Sequence, residues 1–265
     1  MKRLLLTEPR PSGSVPRLCL VALAVTSVAP GQPAATPKSS ALIDLTGYWV
    51  SVVSEDWRWR MVTPAKGDYA SIPINLAAEK LADAWDPAKD EAAGEQCRSY
   101  GAPAIMRVPG RIHITWRDDR TLQVDTDAGR QTRLFHFDDW KAPAGPPAWQ
   151  GDSMAQWEIP RAATAAAGSE AGPKFGDLKV VTTHLRPGYL RKNGVPYSGQ
   201  TILTEYWDIS TERYLSGTHK NEQWLTITTV VHDPVYLQQE WITSLNFKKE
   251  SDGSKWDPEP CSSRW

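Results

Sequence analysis

The sequence predicts a mainly β protein: a single-domain antiparallel β-barrel or strongly curved sheet with one short helix. Three observations carry this. Residues 178–185, 201–208, 224–231 and 236–247 are runs rich in Thr, Val, Ile, Tyr and Trp, and the gaps between them hold Gly, Pro, Asn and Asp. Each run mixes large apolar side chains with Thr, His, Glu, Arg or Gln, as in a sheet with one wet face or a barrel with a partly polar interior. Only one stretch, residues 76–85, has strong helix chemistry, with Asn75 placed to cap it.

The elements follow in order. Gly47-Tyr48-Trp49 opens a first strand over 47–53. Residues 55–61 alternate aromatic and basic side chains and read as a second strand. Trp57 and Trp59 would share one face, Arg58 and Arg60 the other. After the helix comes an irregular stretch, residues 86–109, which holds Cys97. Residues 111–117, 121–126 and 130–137 form a meander. Its turns are Asp118-Asp119-Arg120 and Asp127-Ala128-Gly129. Pro143 to Pro147 mark a loop, and residues 161–176 are an Ala/Gly-rich mobile insertion. Sequential hairpins of this kind suggest an up-and-down barrel.

The first 31 residues read as a Sec-type signal peptide, with a basic start, an apolar run over 18–29 and the small-residue site Ala29-Pro30-Gly31. Lys2, Arg3, Arg10 and Arg17 against Glu8 give that segment a net +3, which leaves about −4 on the remainder of a chain with formal net charge −1. Such a mild acidic excess gives no reason to expect nucleic acid or an anionic membrane as partner. The expected location is the periplasm or the exterior, with no integral membrane segment once the signal is cleaved. Residues 32–41, rich in Pro, Ala and Ser, read as a flexible linker, and the barrel domain as 42–265. In an oxidising compartment Cys97 and Cys261 pair most simply with each other. Chain entropy values such a cross-link at roughly 4–5 kcal/mol. No CxxC or HxxxH spacing supports a metal. The absence of a phosphate-binding glycine loop and of HExxH argues against nucleotide cofactors and zinc-protease chemistry, so no cofactor is expected.

Several local patterns recur in a recognisable order. They are Cys97-x3-Gly101-x-Pro103, Pro109-Gly110-Arg111-Ile112, Trp149-x-Gly151-x-Ser153-x3-Trp157-Glu158, Gly194-x-Pro196-x-Ser198, Thr204-Glu205-Tyr206-Trp207 and Asp233-Pro234-x-Tyr236. Together they resemble a large group of exported bacterial β-rich proteins with no established activity. The Gly47-x-Trp49 start is shared with lipocalin-like barrels. The resemblance implies export and a lipocalin-like β architecture, and it implies no reaction. The chain departs from the group's pattern at residues 160–176 and at Tyr206-Trp207, where Arg-Phe is more typical.

Candidate site residues come from the strands. With 13 Trp against 4 Phe, the chain has the flat apolar faces that bind aromatic compounds, sterols or sugars, and the same rings can fill a broad core. Trp57, Arg58, Trp59, Arg186, Tyr206 and Trp207 are the candidate ligand-binding residues. Glu205 and His184 are the candidate acid/base pair. Glu205, mid-strand beside Trp207, needs solvent or a partner. His184 and Arg186 share a face two residues apart, and with Glu205 they form either a catalytic cluster or a structural ion-pair network. Gly151-Asp152-Ser153 approaches a nucleophile elbow but lacks its strand–turn–helix setting. Three functions follow: a barrel binding a small apolar or aromatic ligand in a Trp-rich cavity; a cofactor-independent isomerase, cyclase, hydratase or hydrolase; or a structural or partner-binding envelope protein. The sequence does not set the oligomeric state.

Overall fold

A nine-stranded closed barrel forms the body of the protein. The computed structural model describes residues 34–159, 176–211 and 222–264, so the expected signal peptide and all but the last residue of the insertion lie outside the described residues. In chain order the strands are β1 (Gly47–Val52), β2 (Arg111–Asp118), β3 (Thr121–Thr126), β4 (Ala128–Gly129), β5 (Thr132–His136), β6 (Asp152–Glu158), β7 (Asp177–Thr183), β8 (Gly188–Arg191), β9 (Val195–Tyr197), β10 (Ile202–Thr211), β11 (Gln223–His232), β12 (Trp241–Lys249) and β13 (Glu259–Pro260). The barrel runs β1-β12-β11-β10-β7-β6-β5-β3-β2 and closes back onto β1.

Alternation along each strand decides what fills it. Trp49, Ile112, Ile114, Leu122, Val124, Phe135, Leu178, Val180, Trp207, Leu225, Ile227, Leu245 and Phe247 all point inward and are buried. The barrel axis is therefore occupied by side chains. His113 and His136 point outward, as their strand neighbours require, and each stacks on a ring, Tyr48 at 4.0 Å and Trp140 at 3.8 Å.

Within the barrel the β5/β6 pairing departs from the antiparallel scheme. β5 and β6 run parallel and pair only through Phe135 with Ser153 and His136 with Met154. The chain between them, past Trp140 and Pro143, carries β6 back to run in the same direction as β5. β6 then continues from Ala155 to Glu158 beyond that pairing, held on its other side by β7. This leaves a seam in the barrel wall.

Helical turns and the β8/β9 hairpin cap one end. They are α1 (Trp57–Arg60), α2 (Leu76–Asp83), α3 (Pro87–Ala92), a 3-10 turn (Gln96–Tyr100) and α4 (Ala102–Ile105). Asn75 accepts from the amides of Ala77 and Ala78 and caps α2, as its side-chain chemistry predicts. Ile72, Ala82, Ala102, Leu190, Val195 and Tyr197 of this cap pack on Leu203, Val231 and Trp241 from the barrel strands and on Leu185, just past β7. In the hairpin, Gly194 adopts φ +83, and a Cβ there would meet the Trp85 ring.

Three local readings need correction. Residues 57–60 form one helical turn and no strand: Asp56 turns the chain at φ 51, and the amides of Trp59 and Arg60 bond back to its carbonyl. The strand expected from residue 236 begins at Trp241. Asp233 is the reason, because its buried carboxylate accepts from the amides of Ser198, Val235 and Tyr236 and from the hydroxyls of Ser198 and Thr201. Ala128 and Gly129 are more than a hairpin turn, since they pair in parallel with Glu259 and Pro260 of the C-terminal tail. Cys97 and Cys261 are disulfide-bonded, with Cα atoms 5.1 Å apart, and fix that tail to the 3-10 turn.

Candidate functional site

The seam between β5 and β6 shapes the strongest candidate site. Beyond His136 the chain turns away from β6 through Phe137 and Asp138, the latter at φ 61. A groove of about 520 Å³ opens there, lined by Phe137, Met154, Trp157, Lys179 and Val181 and edged by Ala35, Pro37 and Ser40. Met154, Lys179 and Val181 belong to the outward face of β6 and β7. Phe137 and Trp157 belong to an aromatic cluster at the barrel end, with ring centroids 5.8 Å apart and Trp116 5.5 Å from Phe137. The groove thus joins the outer wall to the apolar mouth of the barrel.

Segment 35–45 covers that mouth. The Trp157 indole N–H donates to the Pro37 carbonyl at 3.0 Å, and the Trp49 indole N–H to the Leu45 carbonyl at 2.9 Å. The part of the expected linker that lies within the described residues is therefore a docked turn, with Ser39 and Ser40 bonding back to Thr36. On the far wall, Lys179 pairs with Glu158 at 3.1 Å, and that hydrogen bond holds the ammonium above its ordinary pKa. The Lys179 ammonium also lies 5.7 Å from the Tyr206 ring centroid.

A second concavity shares Met154 with the first. It is lined by Trp140, Ala142, Asp152, Thr183 and His184 among others. Here His184 Nδ1 lies 2.8 Å from an Asp152 carboxylate oxygen, and His184 holds a left-handed backbone at φ 55. A carboxylate on Nδ1 fixes the imidazole's tautomer and leaves Nε2 as the nitrogen for proton exchange.

The residues singled out from the sequence disperse. Glu205 is fully buried inside the barrel, and both its oxygens accept from Arg133, at 2.6 and 2.9 Å. Arg133 also reaches Thr182, which bonds Ser153 at 2.8 Å. His184 lies outside the wall, and Arg186 pairs with Glu95 while stacking over Trp149. The proposed cluster of Glu205, His184 and Arg186 therefore does not assemble, because the strand register sends Glu205 inward and ends β7 before His184. Trp207 is fully buried in the core. Trp57 is 64% exposed on α1, and Arg58 bonds Asp68 at the surface. Trp59 lies under the Arg191 guanidinium. Ser153 faces the interior, away from any elbow.

The tryptophan excess has a visible use. Trp49, Trp59, Trp149 and Trp241 each carry a lysine or arginine cation over the ring. Two partners escaped the sequence reading. Arg133 shares the inward face of Phe135 and Phe137, and that alternation was its signal. Asp152 meets His184 only through the β6/β7 register, which no local pattern reveals. Among the described residues, no group of His, Cys, Asp and Glu could hold a metal ion, and no helix is long and apolar enough to cross a membrane. No family model, curated protein or solved structure matches the chain.

Proposed function

We propose that this is an exported barrel protein that binds a small apolar or aromatic ligand in the groove along the β5/β6 seam. One observation carries the reading: a concavity of about 520 Å³, within the size range of small-molecule sites, where Phe137, Trp157, Met154 and Val181 give an apolar surface beside the polar Asp138, Gln156 and Lys179. A disulfide and a signal-like start support export. Trp207, buried in the core, leaves the ligand-binding role, and Trp157 takes its place.

The test is a chemical-shift and tryptophan-fluorescence titration with indole, naphthalene and octanoate. The expected result is saturable binding of at least one probe that perturbs Trp157, Met154 and Val181, weakened at least tenfold in Trp157→Ala. Perturbations that map elsewhere, or none at all, would overturn the reading.

The pairing of His184 with Asp152 favours a second reading, acid/base chemistry on a ligand held beside Met154. Glu205 has no part in it, since Arg133 takes both its oxygens. If this second reading holds, His184→Asn and Asp152→Asn abolish turnover of a bound probe without abolishing its binding.

A further inference from the structure

Three arginines converge beneath the helical cap. Arg60, Arg107 and Arg191 are only 2%, 8% and 5% exposed, and all three line one small cavity with Trp59, Ser99, Ala104, Val108 and Leu190. They come from α1, from the turn after α4, and from the end of β8, so no sequence neighbourhood announces the cluster. Each is held by part of its guanidinium. Arg60 donates from Nε to the Arg107 carbonyl at 3.0 Å and from Nη1 to Glu55. Arg107 donates from Nη2 to Asp56 at 2.7 Å and lies over the Trp241 ring. Arg191 donates to the carbonyls of Asp68 and Ala70 and to the Ser71 hydroxyl, and lies over Trp59.

What remains is an excess of donors. Arg60 Nη2, Arg107 Nη1 and Arg191 Nε are buried with no hydrogen-bond partner among the described residues. Buried polar groups in folded proteins are paired with protein, water or an ion, and three such cations around one space ask for an acceptor. Charge leads the same way. Glu55 and Asp56 pair with two of the three arginines, and Asp68, which pairs with Arg58, also acts on Arg191, so that Arg58, Arg60, Arg107 and Arg191 face three carboxylates. Lys192, also at the cavity, donates from Nζ to the Tyr100 hydroxyl at 2.7 Å. Burial holds Arg60 and Arg191 below the ordinary arginine value, Arg191 at about 10, and in both the charge of Arg107 adds to the effect.

We infer that this cavity is a binding site for one small monovalent anion, of halide or formate size, held by the N–H groups of Arg60, Arg107 and Arg191 that have no partner among the described residues. The cavity is small, about 30 Å³, and holds more than a single water, so a halide or a formate ion enters. Planar guanidiniums clamped on rings present fixed donors, the arrangement that suits anions. The site is separate from the seam groove.

Two measurements test it. Crystals grown in sodium bromide should show an anomalous peak in the cavity, within hydrogen-bond reach of Arg60 Nη2 and Arg107 Nη1; a cavity holding only water in those crystals overturns the site. Thermal melts at matched ionic strength should show a saturable rise in Tm with bromide or formate over gluconate. That rise should vanish in Arg107→Met, or in Arg191→Lys if the first variant does not fold. Equal melting in all salts, or an undiminished rise in a folded variant, overturns it as well.

Discussion

The barrel interior and the helical cap both bury arginine, and they settle its charge differently. Inside the barrel one guanidinium meets one carboxylate: Arg133 and Glu205, both fully buried, pair through two hydrogen bonds. Beneath the cap three guanidiniums line one small cavity, and Glu55 and Asp56 pair with only two of them. The difference teaches where to look for function. A balanced pair in a filled barrel specifies register and packing, because any slip of β5 or β10 by one residue would strand a charge among apolar side chains. An unbalanced cluster at a cavity leaves binding capacity unspent.

The sharpest way to break this comparison is to unbalance the interior. Arg133→Met leaves the Glu205 carboxylate buried and alone, with an expected loss of about 3–5 kcal/mol in urea unfolding. Arg133→Met with Glu205→Leu removes both charges and should recover most of that. If the single variant costs no more than a surface substitution, the pair does not hold the barrel's register.

The cap depends on a covalent tie, so the next effect falls there. Replacing Cys97 and Cys261 with Ser frees a tail that otherwise closes a 164-residue separation, and should cost about 2–5 kcal/mol. The loss should appear as early hydrogen exchange in the 3-10 turn and β4, with β10 to β12 still protected. Uniform loss of protection would mean that the cap and the barrel unfold as one.

Arg107→Met should cost less than Arg133→Met, about 1–3 kcal/mol. It frees Asp56, which retains access to solvent, and it removes a charge that disfavours Arg60 and Arg191. Equal costs in urea would show that the cap cluster is as tightly balanced as the interior.

The smallest effect is a pH response at the seam. Burial holds His136, stacked on Trp140, below the ordinary histidine value. A lowered folded value means that the unfolded chain takes the proton first. The contribution is present above about pH 6.5 and is lost as pH falls through that value toward the folded one. His136→Gln should therefore flatten the stability slope between about pH 7 and pH 5. An unchanged slope would place the acid sensitivity elsewhere.

Much of the fold was legible because it is local. The strands over 111–117, 121–126, 178–185 and 224–231 follow from β-branched and aromatic runs with turn residues between them, and all are found within a residue or two. Asn75 announced the start of α2 by its side chain alone. The site was far less legible. Residues 57–60 alternate as a strand would, yet no neighbouring strand accepts their backbone, and Asp56 closes them into a turn. Glu205 was expected to need solvent or a partner, and the choice of Arg133 over His184 and Arg186 was not local.

By itself the sequence determined the β class, the Asp118-Asp119-Arg120 turn and the α2 cap, since each depends on side-chain chemistry within a few residues. Only the tertiary structure decided that β5 and β6 meet in parallel with a short seam, that Asp152 orients His184, and that three distant arginines share one cavity. Those depend on register and closure. These are set by the joint packing of nine strands, and no window of the chain contains them.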